Sequence, residues 1–157
     1  ATHPKTGEPS PAELVQKLNA AQEFGKGIHV MRQMFYAALS FTLHATPPDK
    51  MNLMQMLMET QKKYNPYPLI KNTSEYASFG HLVEYSSMYY TYMWSLVIVK
   101  DLFNRFHEKG VLDPETAAAY RQSILAPGGS VDAQDMVKSF LGRPYSFDSY
   151  QKWLTAR

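Results

Sequence analysis

Apolar side chains recur at three- and four-residue spacing along this chain, and prolines and glycines cut the pattern into segments. That spacing returns a side chain to one face of an α-helix, and no stretch shows the strict alternation of a half-buried strand. The pattern predicts an all-α unit of six or seven helices over residues 1–157, with no internal repeat and no linker between domains. Ser10-Pro11-Ala12-Glu13 reads as the first start: Ser10 as cap, Pro11 in the first helical position, Glu13 completing a capping box. Leu14, Leu18 and Ala21 follow on one face until Gly25 and Gly27 interrupt. A second helix is expected from Ile28 to His44, with Ile28, Met31, Phe35, Ala38 and Thr42 in register, ended by Pro47-Pro48. Asp49 is the expected cap of a third, running to Tyr64 with a stripe of Met51, Met54 and Met58 beside Leu57. Asn65-Pro66-Tyr67-Pro68 stops it, because proline lacks the amide hydrogen and restrains the residue before it. The stretch to Phe79 is expected to be irregular, and a long helix from Ser86 to Phe106 follows, closed off by Gly110. Asp113-Pro114-Glu115 opens another that stops at Pro127-Gly128-Gly129. Ser130 is the expected cap of the next, closed by Gly142, and Ser146 that of a short last helix through Trp153.

Composition narrows the function classes. With 45% hydrophobic and 19% charged residues, the chain has the material for a core. Its net charge of +2 comes from mixed signs with no long run, so the basic stripe that nucleic-acid binding needs is missing. The most apolar run, Met88 to Val99, is shorter than the about 20 residues of a membrane-spanning helix, so it reads as a buried helix of a soluble protein. Without cysteine there is no disulfide and no thiolate metal site, which leaves the compartment open. The opening Ala1-Thr2-His3-Pro4 has neither an initiator Met nor a signal-peptide pattern, and reads as an internal or processed start.

Aromatic residues carry the chemical signal. Tyr85, Tyr89 and Tyr92 stand at i, i+4 and i+7, and His81 would join their face one turn earlier. Phenol hydroxyls donate hydrogen bonds without charge at neutral pH, which suits them to a carbonyl oxygen that is becoming an oxyanion. Aromatics at this spacing equally serve a core, and both readings stand on spacing alone. Other features read as ordinary structure. His29 and His44 lack a carboxylate at one-turn spacing for a metal site. The methionine stripe suits a core or an interface better than a peptide-binding surface. Pro127-Gly128-Gly129 lacks the GxxxxGK[ST] pattern of a phosphate loop.

Four stretches, in order, carry a resemblance. Thr6-Gly7-Glu8-Pro9-Ser10-Pro11-Ala12-Glu13-Leu14 is similar to a TGEPLPxEL motif. His81-Leu82-Val83-Glu84-Tyr85 with Tyr89-Tyr90-Thr91-Tyr92-Met93-Trp94-Ser95 resembles a tyrosine-rich segment. Tyr120 to Ser130 is similar to YRxxILxPGGS, and Phe140-Leu141-Gly142-Arg143 to a closing FLGR. Together they resemble the family of thimet oligopeptidase, neurolysin and mitochondrial intermediate peptidase over nearly the whole chain. The resemblance implies the carboxy-terminal part of a helical, zinc-dependent endopeptidase that cuts short peptides in a deep channel. It also implies a cytoplasmic protein, with the mitochondrial matrix as second compartment; the residues themselves locate nothing. In the family, zinc sits on a His-Glu-x-x-His helix whose two His share one face. That motif is not in this sequence: His107-Glu108 is followed by Val111, and no two His stand four apart. Zinc is therefore expected on residues outside this chain, in the same or another polypeptide, which becomes an expected partner beside the peptide substrates. By resemblance His81, Tyr85 and Tyr92 match residues that contact substrate and stabilise the oxyanion, and Tyr89 a further tyrosine of that wall. Where the family usually has glycine this chain has Glu84, closed to glycine-only conformations, and the single residue between Val83 and Tyr85 resembles the mitochondrial branch. The alternative expectation is a non-catalytic, peptidase-derived subunit of a larger assembly. In either case a half-domain should expose apolar surface that a partner covers.

Overall fold

The structure is a computed structural model that describes residues 2–70 and 72–156; Ala1, Lys71 and Arg157 lie outside them. The fold is all-α: α1 (Ala12–Gln22), α2 (Lys26–Ala45), α3 (Leu53–Tyr64), the single turns α4 (Glu75–Ser78) and α5 (His81–Glu84), α6 (Thr91–Lys109), α7 (Pro114–Tyr120), α8 (Ala133–Leu141) and α9 (Asp148–Thr155). Among the described residues, strand-like pairing is limited to one isolated bridge, Thr2 with Pro9. Among the described residues, no helix is long and apolar enough to cross a membrane.

Two apolar clusters organise these helices. In the first, the Phe35-Leu39-Leu43 ridge of α2 packs on Leu57 of α3 and on Phe79. The expected stripe of α2 is thus only partly the buried one: Phe35 is 1% exposed, but Ile28 and Met31 are 50% and 39% exposed. An i, i+4, i+8 ridge faces α3, and residues one turn outside it are left at the surface. The methionine stripe divides in the same way. Met51 and Met54 pack against the cluster, while Met58 points away. The second cluster joins Leu102 of α6 to Val137 and Phe140 of α8, with Phe106, Tyr120 and Ile124 around them.

Several caps differ from expectation. Asn52 caps α3, accepting from the Gln55 amide at 3.0 Å, because Asp49 is taken into a 3-10 turn, Pro48–Lys50. Asp132 caps α8, accepting from the Gln134 amide at 2.8 Å. Ser130 instead turns its hydroxyl back on the Pro127 carbonyl at 2.6 Å. α1 begins at Ala12 with Pro11 as its cap residue and without a side-chain cap bond there, and it buries none of its residues. Ser146 is not the cap residue of α9 either: Phe147 holds that place without a side-chain cap bond, and the Ser146 hydroxyl accepts from the Asp148 amide only at 3.4 Å, one residue further out. α7 runs on into a π-helical turn, Arg121–Leu125, before Pro127 ends it.

Candidate functional site

α6 does not begin at Ser86. Ser86 has φ +49°, in the left-handed region, and a 3-10 turn, Met88–Tyr90, separates it from Thr91. Serine hydroxyls compete for backbone groups and weaken helix propagation, so Ser86-Ser87 is a natural place to break. The break is held from a distance: buried Ser40 of α2 donates its hydroxyl to the Ser86 carbonyl at 2.7 Å. Glu84 needs no glycine-like backbone, because it lies within α5; the left-handed position falls two residues later.

His81, Tyr85, Tyr89 and Tyr92 therefore do not share one continuous helix, yet the fold brings them together. The His81 ring centroid lies 5.4 Å from that of Tyr85, 5.0 Å from Tyr89 and 5.9 Å from Tyr92. His81 Nε2 and the Tyr92 hydroxyl are 3.1 Å apart, within hydrogen-bond distance. Tyr89 is the anchor, with its ring 5.2 Å from buried Phe79 and 5.4 Å from Tyr36 of α2. Burial raises the Tyr89 phenol above its ordinary value, and the nearby Tyr36 and Tyr92 add to this, so it stays protonated at neutral pH. Tyr85 and Tyr92 are exposed at 58% and 55%, open to a ligand. His29, Gln33, His81 and Tyr89 line two adjoining cavities of about 400 and 380 Å³, the second reaching Tyr92.

Sequence reasoning missed Arg32, Tyr36 and Glu75, which line the first cavity. Tyr36 donates to Glu75 Oε1 at 2.6 Å and accepts from Arg32 Nη2 at 3.4 Å. Burial first, and the Glu75 carboxylate second, raise the Tyr36 phenol. The spacing of Arg32 and Tyr36, one turn apart, was a local signal; the pairing with Glu75 was not. The described residues do not fit a resident metal: no group of three or more His, Asp or Glu is placed to hold an ion. His44 Nδ1 lies 2.8 Å from the Ser40 carbonyl, and His107-Glu108 lies in the last turn of α6.

Fold and site together define a helical chain that presents a histidine–tyrosine cluster along an open groove. Residues 1–155 match peptidase family M3, and the chain belongs to that family. It is 32% identical over 151 residues to oligopeptidase A of Escherichia coli, covering 94% of this chain and 22% of the relative. Saccharolysin of Saccharomyces cerevisiae is 32% identical over 160 residues, covering 98% of this chain and 22% of the relative. The mitochondrial intermediate peptidase of Mus musculus is 29% identical over 150 residues, covering 96% and 21%. The chain thus spans about a fifth of the length of the curated relatives it matches.

Proposed function

We propose that this chain forms the substrate-holding wall of a zinc metalloendopeptidase that hydrolyses short peptides. Zinc is held by a His-Glu-x-x-His segment outside this sequence, on the same polypeptide or a partner. The compartment is the cytoplasm, with the mitochondrial matrix as second choice. The observation that carries the reading is the convergence of His81, Tyr85, Tyr89 and Tyr92 at the rim of an open groove, on a chain of this family.

The local chemistry follows from the His81–Tyr92 contact. With its proton on Nε2, His81 donates to the Tyr92 oxygen, and the Tyr92 proton is then free to point outward. A phenol polarised in this way donates best where negative charge develops, on the carbonyl oxygen of a peptide under attack. Tyr85, whose ring lies 5.4 Å from the same imidazole, supplies a second exposed phenol. Tyr89, packed on Phe79 and Tyr36, fixes the imidazole plane. Donors already in place cost no reorganisation during the reaction, which is why such groups act on kcat more than on KM.

Tyr92→Phe in the intact enzyme removes the donor and little volume. The expected result is a fall in kcat of about 100- to 1,000-fold with KM little changed, measured on a short fluorogenic peptide. An unchanged kcat overturns the role of Tyr92.

A further inference from the structure

We propose that the cavity beside His81 recognises a carboxylate of the peptide, and that Arg32 is its specificity-determining residue. The proposal deepens the peptidase reading and rests on it.

Arg32 is exposed on α2 and lines the cavity of about 400 Å³ with His29, Gln33, Tyr36, Glu75 and His81. A peptide whose carbonyl meets Tyr92 and His81 lies against the same walls. Among the described residues the ion pairs are Lys17–Glu13, Lys26–Glu23 and Arg143–Asp101, so Arg32 has no carboxylate partner. A guanidinium has five N–H donors in a planar fork. Arg32 spends one of them, Nη2, on the Tyr36 oxygen at 3.4 Å.

The other groups in the cavity prepare that fork. Glu75 accepts the hydrogen bond of the Tyr36 hydroxyl at 2.6 Å, which turns the lone pairs of the phenol oxygen towards Arg32. The guanidinium carbon sits 5.8 Å from the Tyr36 ring centroid, in cation–π range. Tyr36 is itself wedged between Phe35 and Phe79, at 5.1 and 4.9 Å. The tyrosine hydroxyl also raises the Arg32 pKa further above its ordinary value. Glu75 is the opposing charge in this cavity, but one of its oxygens is engaged by Tyr36 and it is partly buried. Glu75 acts on Arg32 through space, but Arg32 is the exposed charge without a direct ion pair, and its planar fork fits the two oxygens of a carboxylate.

Two peptide groups carry that chemistry: a free carboxy terminus and an Asp or Glu side chain. The test uses the intact enzyme and one short peptide in three forms, with a free carboxy terminus, with a terminal amide, and amidated with a single Glu moved through successive positions. The expected result is that one carboxylate form raises kcat/KM about 10- to 100-fold over the neutral peptide, an advantage that shrinks as salt is added. Preference for the free terminus identifies end recognition, and preference for a placed Glu identifies a side-chain subsite. R32Q removes the advantage, so that carboxylate and neutral forms are cut with equal kcat/KM, while R32K, which keeps the charge but not the fork, retains part of it. Equal cleavage of all forms by the wild type overturns the proposal and leaves the peptidase reading intact. If no form is cut, the peptidase reading fails instead, and calorimetric binding of the same three peptides still decides whether Arg32 selects a carboxylate.

Discussion

Ser86 concentrates strain at one residue. For a side chain with a Cβ, left-handed backbone costs roughly 1–2 kcal/mol, whereas glycine adopts it freely. The Ser40 hydroxyl offsets part of that cost by bonding the Ser86 carbonyl. Ser86→Gly should therefore raise stability by up to about 1 kcal/mol in a urea titration, since relief of strain exceeds the added freedom of the unfolded chain. A loss of stability would contradict a left-handed Ser86. Ser40→Ala should cost about 1 kcal/mol by freeing the turn. It should also lower kcat, since the turn lies between His81 and Tyr92, which meet at 3.1 Å. These residue-scale effects explain what the sequence concealed at the site. The i, i+4, i+7 spacing put Tyr89 and Tyr92 side by side, with ring centroids 5.0 Å apart, whereas Tyr85 meets the cluster through His81. The continuous helix it implied is interrupted by a contact 46 residues away. The pairing of Tyr36 with Glu75 was hidden for the same reason, as 39 residues separate them.

Between elements, the strongest polar tie is Asp101. Its carboxylate on α6 is inaccessible and accepts from Arg143 Nη1 and Nη2 at 2.7 and 2.8 Å, from the Ser146 amide at 2.9 Å and from the Ser149 hydroxyl at 3.1 Å. It joins α6 to the segment between α8 and α9, and Ser149 lies on α9 itself. Arg143→Ala leaves a buried carboxylate without its cation and should destabilise by about 3 kcal/mol. The bonds from Arg143 dominate over burial and hold the Asp101 carboxyl below the usual carboxylate range. A depressed folded pKa stabilises fully above the unfolded value of about 3.9 and is lost as pH falls through the folded one. The stability gap between wild type and R143A should thus be flat near neutrality and shrink in acid as the Asp101 carboxyl protonates, read from denaturant titrations at stepped pH. A gap that widens in acid would refute this assignment. The elements themselves were legible because their punctuation is local. Gly110 and Gly142 end α6 and α8 with φ of +104° and +72°, and Pro114 opens α7 behind the Asp113 cap. The caps of α3 and α8 were not, because Asp49 and Asn52, or Ser130 and Asp132, are chemically equivalent choices that the preceding 3-10 turns decide.

The whole molecule leaves more surface open than its mass warrants. It exposes 11791 Å², whereas a closed monomer of 17.9 kDa exposes about 8,000 Å². The excess of roughly 3,800 Å² exceeds one partner's share of an obligate interface, about 1,000–2,500 Å². Apolar side chains contribute to it on and between the first two helices, where Leu14, Leu18, Phe24, Ile28 and Phe41 are each at least half exposed. Charged residues on α1 do not cover this face: Glu13 and Lys17 pair with one another at 2.6 Å, and both remain exposed. Apolar surface of this extent is stable in water only when something covers it. The isolated chain should therefore associate at micromolar concentration, with a weight-average mass in sedimentation equilibrium that rises above 17.9 kDa as concentration rises. Leu18→Glu should reverse the association without loss of helicity, because α1 buries no residue of its own and the substitution touches neither core cluster. A single species at 17.9 kDa over the whole range would mean that the face tolerates water. Association that L18E leaves intact would move the contact to the other exposed apolar end, around Val111 and Leu112.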